Sequence, residues 1–275
     1  MPKGILYVVA TPIGNLSEMT PRAIDTLRQV SLIACEDTRE TMKLTSHFDI
    51  ATPLMSCHEH NERSVVLKLV ERLDQGDDVA IVSDAGYPGI SDPGAHVIHT
   101  CIRHGIQVVV ISGACALINA LVGSGLDTDH FYFHGFLPVK QGDRRKALAE
   151  LSSRPETIIF YEAPHRIEDT LLDLQTEFGN RNACVCRELT KKFETYHRGT
   201  LEQLQLLLFA NPPRGELVLI VEGKAREPRV TLSNVEIMRS VQELIDQGMT
   251  TKDAIKAIAE RHGISKNEVY RVVHQ

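Results

Sequence analysis

Apolar, β-branched runs long enough for one strand alternate with amphipathic, helix-length segments from the start of the chain, and this alternation leaves few folds open. Ile5–Ala10 (ILYVVA) is continuously apolar, the pattern of a strand buried on both faces. A Pro/Gly turn follows, then Thr20-Pro21, which reads as a helix N-cap with proline in the first turn. Ser31–Cys35, Pro53–Cys57, Val79–Ser83 and Gln107–Ile111 are further short strands. Between them, Asn61–Leu73 carries Val65, Val66, Leu69, Val70 and Leu73 on one helical face. Strands separated by helices build a largely parallel, doubly wound sheet.

A second series begins near residue 114. Strands are expected at Phe131–Phe133, Thr157–Tyr161, Ala183–Arg187 and Glu216–Val221, with a helix over Arg166–Phe178. The charged segment Gly223–Ser233, which contains Pro228, reads as a linker. Beyond it, Val235–Gln247 is a helix ended by Gly248, and Thr250–Asp253 and Ser265–Glu268 resemble capping boxes that open two more. The sequence therefore predicts an α/β protein of two domains with mostly parallel or mixed sheets. Its divisions fall at 1–113, 114–224 and a helical, helix-turn-helix-like extension over 225–275. Lys252, Lys256, Arg261, Lys266 and Arg271 make nucleic-acid contact one reading of that extension; a packing appendage or dimer contact is the other.

A net charge of −6 over 275 residues argues against a protein that coats a nucleic-acid backbone, but leaves local basic patches open. Arg144-Arg145-Lys146, Lys191-Lys192 and Lys224–Arg229 are the candidates, each equally an ordinary solvated face. The six cysteines form no C-x-x-C pair and read as reduced thiols of a cytoplasmic protein. Cys184 and Cys186 fall on one face of a strand and are expected in a core. No secretory signal and no membrane-spanning run is expected. His58-x-His60 lacks a second ligand pair, so no metal is expected.

Ligands of open α/β sheets sit outside the carboxyl ends of the strands, which directs attention to three loops. Thr11–Leu16 (TPIGNL) bends at Pro12 and Gly14 and matches no phosphate-loop pattern. Ser83–Gly94 (SDAGYPGISDPG) packs three glycines, two prolines and two aspartates into twelve residues, special backbone chemistry that a plain surface turn would not need. Ser112–Ala116 (SGACA) again uses small residues where a strand meets a helix.

These loops, with C-E-D-T-R at 35–39, H-E-H-N-E at 58–62, F-Y-E-A-P-H-R at 160–166, R-E-L-T-K at 187–191 and G-E-L-V-L-I-V-E-G at 215–223, make the chain resemble the tetrapyrrole methylase superfamily, in the branch that methylates small-subunit ribosomal RNA. The resemblance runs from about residue 5 to about 222. It implies a homodimer of two-domain chains that binds S-adenosylmethionine between the domains and methylates the 2′-oxygen of a cytidine ribose in small-subunit (16S) RNA or the 30S particle. By that similarity Pro12, Gly14, Asp84, Ala85, Gly86, Gly113, Cys115, Ala116 and Tyr161 would surround the cofactor. The chain departs from the family pattern at Tyr87, usually Thr, and at Ser112–Ala116, usually P-G-P-S-A.

Methyl transfer to a hydroxyl needs an in-line approach and a positioned base. Acceptor-side candidates are Glu36, Asp37, Arg39, His58, Asn61, Glu62, Glu162, Arg166, Arg187, Glu188 and Lys191. Lys191, Glu188, Arg187 and Glu36 are assigned to the chemistry, and Arg39, His58, Asn61 and Arg166 to the RNA. Each arginine–carboxylate neighbour also reads as a structural ion pair. A methylase of a small precorrin-type tetrapyrrole and a non-catalytic RNA-binding or assembly protein are the rival readings. The enzyme reading requires that the turns near residues 12, 85 and 114 converge in space.

Overall fold

The computed structural model describes residues 2–225 and 232–274, which form two compact units, 1–224 and 225–275. The first sheet is built from β1 (Ile5–Val9), α1 (Pro21–Gln29), β2 (Leu32–Cys35), α2 (Thr38–His47), β3 (Leu54–Ser56), α3 (Glu62–Asp74), β4 (Val79–Val82), α4 (Ala95–Arg103) and β5 (Gln107–Ile111). Its strand order is β3-β2-β4-β1-β5, parallel throughout. The central strands β2 and β4 are buried at every residue because helices cover both faces: α1 and α2 pack on Ile33, Ala80 and Val82, and α3 and α4 on Leu6, Leu32 and Ile81.

From β1 the chain moves toward β2, whereas from β4 it crosses to β5. The adjacent carboxyl ends of β1 and β4 therefore send their loops to opposite sides, the topological switch point where such sheets hold ligands.

The second sheet follows α5 (Ala116–Ser124) and contains β6 (Phe131–Phe136), α6 (Gln141–Leu151), β7 (Thr157–Glu162), α7 (Ile167–Phe178), β8 (Asn182–Arg187), β9 (Thr195–Thr200), α8 (Leu201–Ala210) and β10 (Leu217–Val221). Its order is β6-β7-β10-β8-β9. Only β6 and β7 run parallel; β10 is antiparallel to both its neighbours, and β8 and β9 form an antiparallel pair. The sequence pattern did not reveal β9, whose residues TYHRGT carry no apolar alternation. As an edge strand it pairs on one side alone and buries little.

Helices α6, α7 and α8 cover one face of this sheet and α5 the other. Cys184 and Cys186 are both buried, their sulfurs 3.7 Å apart, among Ala120, Leu121 and Ile159. Ile13, from the loop after β1, belongs to this second core, so the first sheet's ligand loop is pinned by the second sheet.

The C-terminal unit contains α9 (Asn234–Asp246), α10 (Thr251–His262) and α11 (Lys266–Val273) around Ile237, Val241, Ile255, Ile258 and Val269. Gly263 ends α10 in the left-handed conformation. Thr250 and Ser265 each cap the third backbone N–H of their helix, but the reciprocal bond of a capping box forms elsewhere, between Glu236 and Ser233 at α9. Asp253 instead accepts the Thr250 hydroxyl at 2.7 Å. Lys252, Lys256, Arg261, Lys266 and Arg271 are exposed. Most of the expected linker 223–233, and most of the basic run 224–229, lie outside the described residues. Among the described residues no helix is long and apolar enough to cross a membrane.

Candidate active site between the two sheets

The three loops meet, and backbone hydrogen bonds join them. Thr11 N–H donates to Gly86 O at 2.9 Å and Gly86 N–H to Thr11 O at 3.0 Å, a one-residue bridge across the switch point. Gly86 makes this turn at φ +74°, where a side chain would be strained. The Thr11 hydroxyl donates to Ser83 O at 3.1 Å, and the Ser83 hydroxyl to Ala85 O at 3.2 Å. The third loop is tied in by Gly113 N–H, which donates to the Tyr87 hydroxyl at 3.1 Å. Tyr87, one departure from the family pattern, thus contacts the loop that carries the other, through the glycine that the pattern keeps. Gly113 is small for a packing reason: a Cβ there would lie 3.0 Å from the Ala10 Cβ.

Two cavities open at this junction and share Ile13, Ala85 and Glu216 in their walls. The first, about 400 Å³, is lined by Gly86, Tyr87, Ile90 and Asp92 from the loop after β4, by Cys115 and Ala116 at the start of α5, and by Phe136, Tyr161, Pro164, Leu217 and Val218 from the second sheet and its loops. It lies within the size range of small-molecule sites, apolar with a few polar groups. Burial pushes the Tyr161 hydroxyl up to about 12. Asp92, absent from the sequence-based candidates, is pushed up to about 6 by burial and then by the nearby charges of Glu36 and Asp84. Its position in a loop dense in turn residues was the available signal.

The second cavity, about 360 Å³, is lined by Pro12, Gly14, Thr41, Asp84 and Lys191 among others. The predicted cofactor residues therefore divide: Gly86, Cys115, Ala116 and Tyr161 face the first cavity, Pro12, Gly14 and Asp84 the second, Ala85 both, and Gly113 neither. Gly14, at φ +138°, makes room for a side chain from the segment after β8, since a Cβ there would lie 2.5 Å from the Lys191 Cγ.

Lys191 Nζ is 3.1 Å from both Glu188 Oε1 and Glu216 Oε2. Burial acts to lower its pKa, but these two carboxylates outweigh it and hold the amine protonated. Glu188 also accepts the Glu216 N–H at 3.0 Å, a bond that leads the other causes in lowering its pKa. Glu188 and Thr190 sit at φ +50° and +67°, unfavourable for residues with a Cβ and a mark of a locally constrained segment. Asp84 Oδ1 accepts the Asp37 N–H at 3.2 Å. Burial first, then Asp37 and Glu40, raises its pKa; burial and Asp84 likewise raise that of Glu36.

Other candidates are engaged elsewhere. Arg39 is exposed and pairs with Asp37, which caps α2 and whose pKa is lowered to about 2 by the Arg39 hydrogen bonds. The Asn61 amide is consumed inside its own loop, accepting from His58 N–H and donating to Ser56 O. His58 Nδ1 is buried without a hydrogen-bond partner among the described residues. Glu62 Oε1 accepts Gly94 N–H and Val97 N–H, capping α4. Arg166 donates to Leu137 O and Pro138 O and lies 3.3 Å from the buried Glu162 carboxylate. Arg187 donates to Arg214 O. In the Arg144-Arg145-Lys146 patch, Arg144 is buried against Asp173 and Arg145 pairs with Glu177, so two of its three charges are spent on structure.

Residues 5–205 match the family described as Tetrapyrrole (Corrin/Porphyrin) Methylases. Among curated relatives, a "Ribosomal RNA small subunit methyltransferase I" of Halalkalibacterium halodurans is 46% identical, the match covering 99% of this chain and 96% of that protein. The protein of the same name from Bacillus subtilis is 45% identical over 98% of this chain and 94% of its own length. Among solved structures, a cobalt precorrin-4 methyltransferase superposes with a TM-score of 0.56 at 15% identity, covering 82% of this chain and 96% of that one. A diphthine synthase superposes at 0.59 and 13% identity, covering 81% and 91%.

Proposed function

The chain belongs to the tetrapyrrole methylase family, and from that premise we propose that it uses S-adenosylmethionine to methylate the 2′-oxygen of a cytidine ribose in small-subunit (16S) ribosomal RNA. The names of the curated relatives support the acceptor class. The observation that carries the reading is the pair of adjoining cavities at the switch point, one apolar and lined by main-chain turns, the other bordered by a carboxylate and a protonated lysine.

The first cavity suits the donor. Ile13, Tyr161 and Val218 offer apolar walls to an adenosine, the Ala85-Gly86 turn offers close backbone approach, and Asp92 offers a carboxylate to a cation. S-adenosylmethionine, when bound, supplies a methyl group on a positively charged sulfur. The shared wall of Ile13, Ala85 and Glu216 lets the second cavity hold the acceptor hydroxyl within reach of the first, the orientation that such a displacement depends on.

On the acceptor side, Asp84 is the proton acceptor of this reading. Its Oδ1 is taken by Asp37 N–H, which leaves Oδ2 for the hydroxyl proton, and its raised pKa makes it a stronger base than an ordinary carboxylate. Lys191 already carries its proton and serves as a fixed positive charge for phosphate or ribose oxygens. Glu188 and Glu216 position that charge. The working protein is read as cytoplasmic, the compartment of a ribosomal RNA acceptor, and as a homodimer, a reading supported by the exposed apolar residues Ile118 and Val122 of α5.

The test is transfer of a labelled methyl group from S-adenosylmethionine to small ribosomal subunits isolated from a strain deleted for the gene, followed by mapping of the modified nucleotide. Label on a cytidine 2′-oxygen is expected. Label on a precorrin-type tetrapyrrole offered in parallel, with none on the subunits, would overturn the reading.

A further inference from the structure

Residues three apart in a regular strand face opposite sides of the sheet, yet Phe133 and Phe136 of β6 both pack on the ring of Tyr161, at 5.0 and 5.6 Å between centroids. A β-bulge causes this. Phe133 pairs with Ile159 and Gly135 with Phe160, so His134 is an extra residue, and Gly135 takes φ +81°. Bulges at strand ends re-aim a side chain, and this one turns Phe136 into the wall of the first cavity.

Phe136 nevertheless remains 55% exposed, and Ile90, which reaches the same cavity from the first domain, remains 43% exposed. The segment after Phe136 is held rigidly from behind: Arg166 donates to Leu137 O and Pro138 O, and Arg144 to Val139 O. Two largely buried guanidinium groups thus fix a loop that presents Phe136, Val139 and Lys140 to solvent. Lys140 has no carboxylate partner among the described residues. The exposed His165 adjoins Pro164, which also lines the cavity.

An aromatic face at the mouth of a donor cavity, beside an unpaired cation, fits an unstacked nucleobase and its phosphate. Proteins read single-stranded RNA by stacking its bases on aromatic side chains. We propose that Phe136 is the stacking platform for a base of the RNA acceptor, with Ile90 opposite, Lys140 toward the backbone, and Arg144 and Arg166 as positioning residues for the loop. This rests on the functional reading above.

Phe136→Leu keeps an apolar side chain and removes the stacking face, while Phe136→Trp restores one. Unmethylated small ribosomal subunits are titrated against wild type and both variants, and S-adenosylmethionine affinity is measured separately by calorimetry. Phe136→Leu is expected to weaken subunit binding by roughly 5–150-fold, the range for one lost base stack, well beyond any change in donor affinity from the altered cavity wall, with Phe136→Trp near wild type. Unaltered subunit binding by Phe136→Leu overturns the proposal. So does a parallel loss of donor affinity, which would assign the ring to the donor's adenine. Wild-type protein that transfers no methyl group to the subunits would instead overturn the functional reading.

Discussion

A carboxylate takes a proton from a hydroxyl only if it is correctly placed and sufficiently basic, and Asp84 combines a wall position in the second cavity with a raised pKa. Asp84→Asn keeps the shape and removes the base, so kcat should fall by roughly 10²–10⁴-fold with donor affinity unchanged, as steady-state kinetics and calorimetry would read. Asp92 gives a pH signature. Its carboxyl, pushed up to about 6 by burial, is favoured in the ionised form by a bound cation, so donor affinity should strengthen as pH rises through about 6. For folding the sign is reversed. The folded chain holds this proton in the window between 3.8 and about 6, where the unfolded chain has released it, so Asp92's contribution to stability declines as pH rises across that window. Asp92→Asn should flatten both profiles, in calorimetric titrations that cross about pH 6 and in denaturation titrations that span the window from 3.8 to about 6.

Helices α6 and α7 share apolar packing, the half-exposed pair Arg145–Glu177 and one buried ion pair. Arg144 and Asp173, with side chains 4% and 3% exposed, meet at 2.7 Å, and Gln141 adds a contact at 3.3 Å. Removing one charge leaves the other buried and unpaired, so Arg144→Met should cost about 3–5 kcal/mol in chemical denaturation. Arg144→Met combined with Asp173→Leu should recover most of that loss, because replacing the whole pair by apolar groups is often neutral. The single variant also frees Val139 O, so it should perturb the Phe136 loop, whereas substitutions at the exposed pair Arg239–Glu243 of α9 should change stability little.

For the whole molecule, the exposed face of α5 bears on the number of copies. Ile118 and Val122, 41% and 70% exposed, line a shallow groove with Glu18, Glu194 and Tyr196. Exposed aliphatic side chains one helical turn apart, flanked by charge, are what a partner surface would cover in the homodimer proposed above. Val122→Glu adds a like charge beside Glu18 and Glu194, so a wild-type dimer in sedimentation velocity should become a monomer in this variant. A wild-type monomer would refute the homodimer.

The sequence alone determined the parallel first sheet, because burying a strand on both faces forces a continuous apolar run that can be read directly. It also marked the loops at 11–16, 83–94 and 112–116, since tight turns at strand ends demand glycine and proline. Tertiary structure decided what periodicity does not encode. The polar edge strand Thr195–Thr200 buries little, and the bulge that re-aims Phe136 depends on pairing with β7. Arg166 and Asn61 make hydrogen bonds within the chain, Gly14 accommodates Lys191 from the segment after β8, and Tyr87 reaches Gly113. A residue type declares which bonds it is able to make, whereas its actual partner depends on which distant segment the fold brings within about 3 Å.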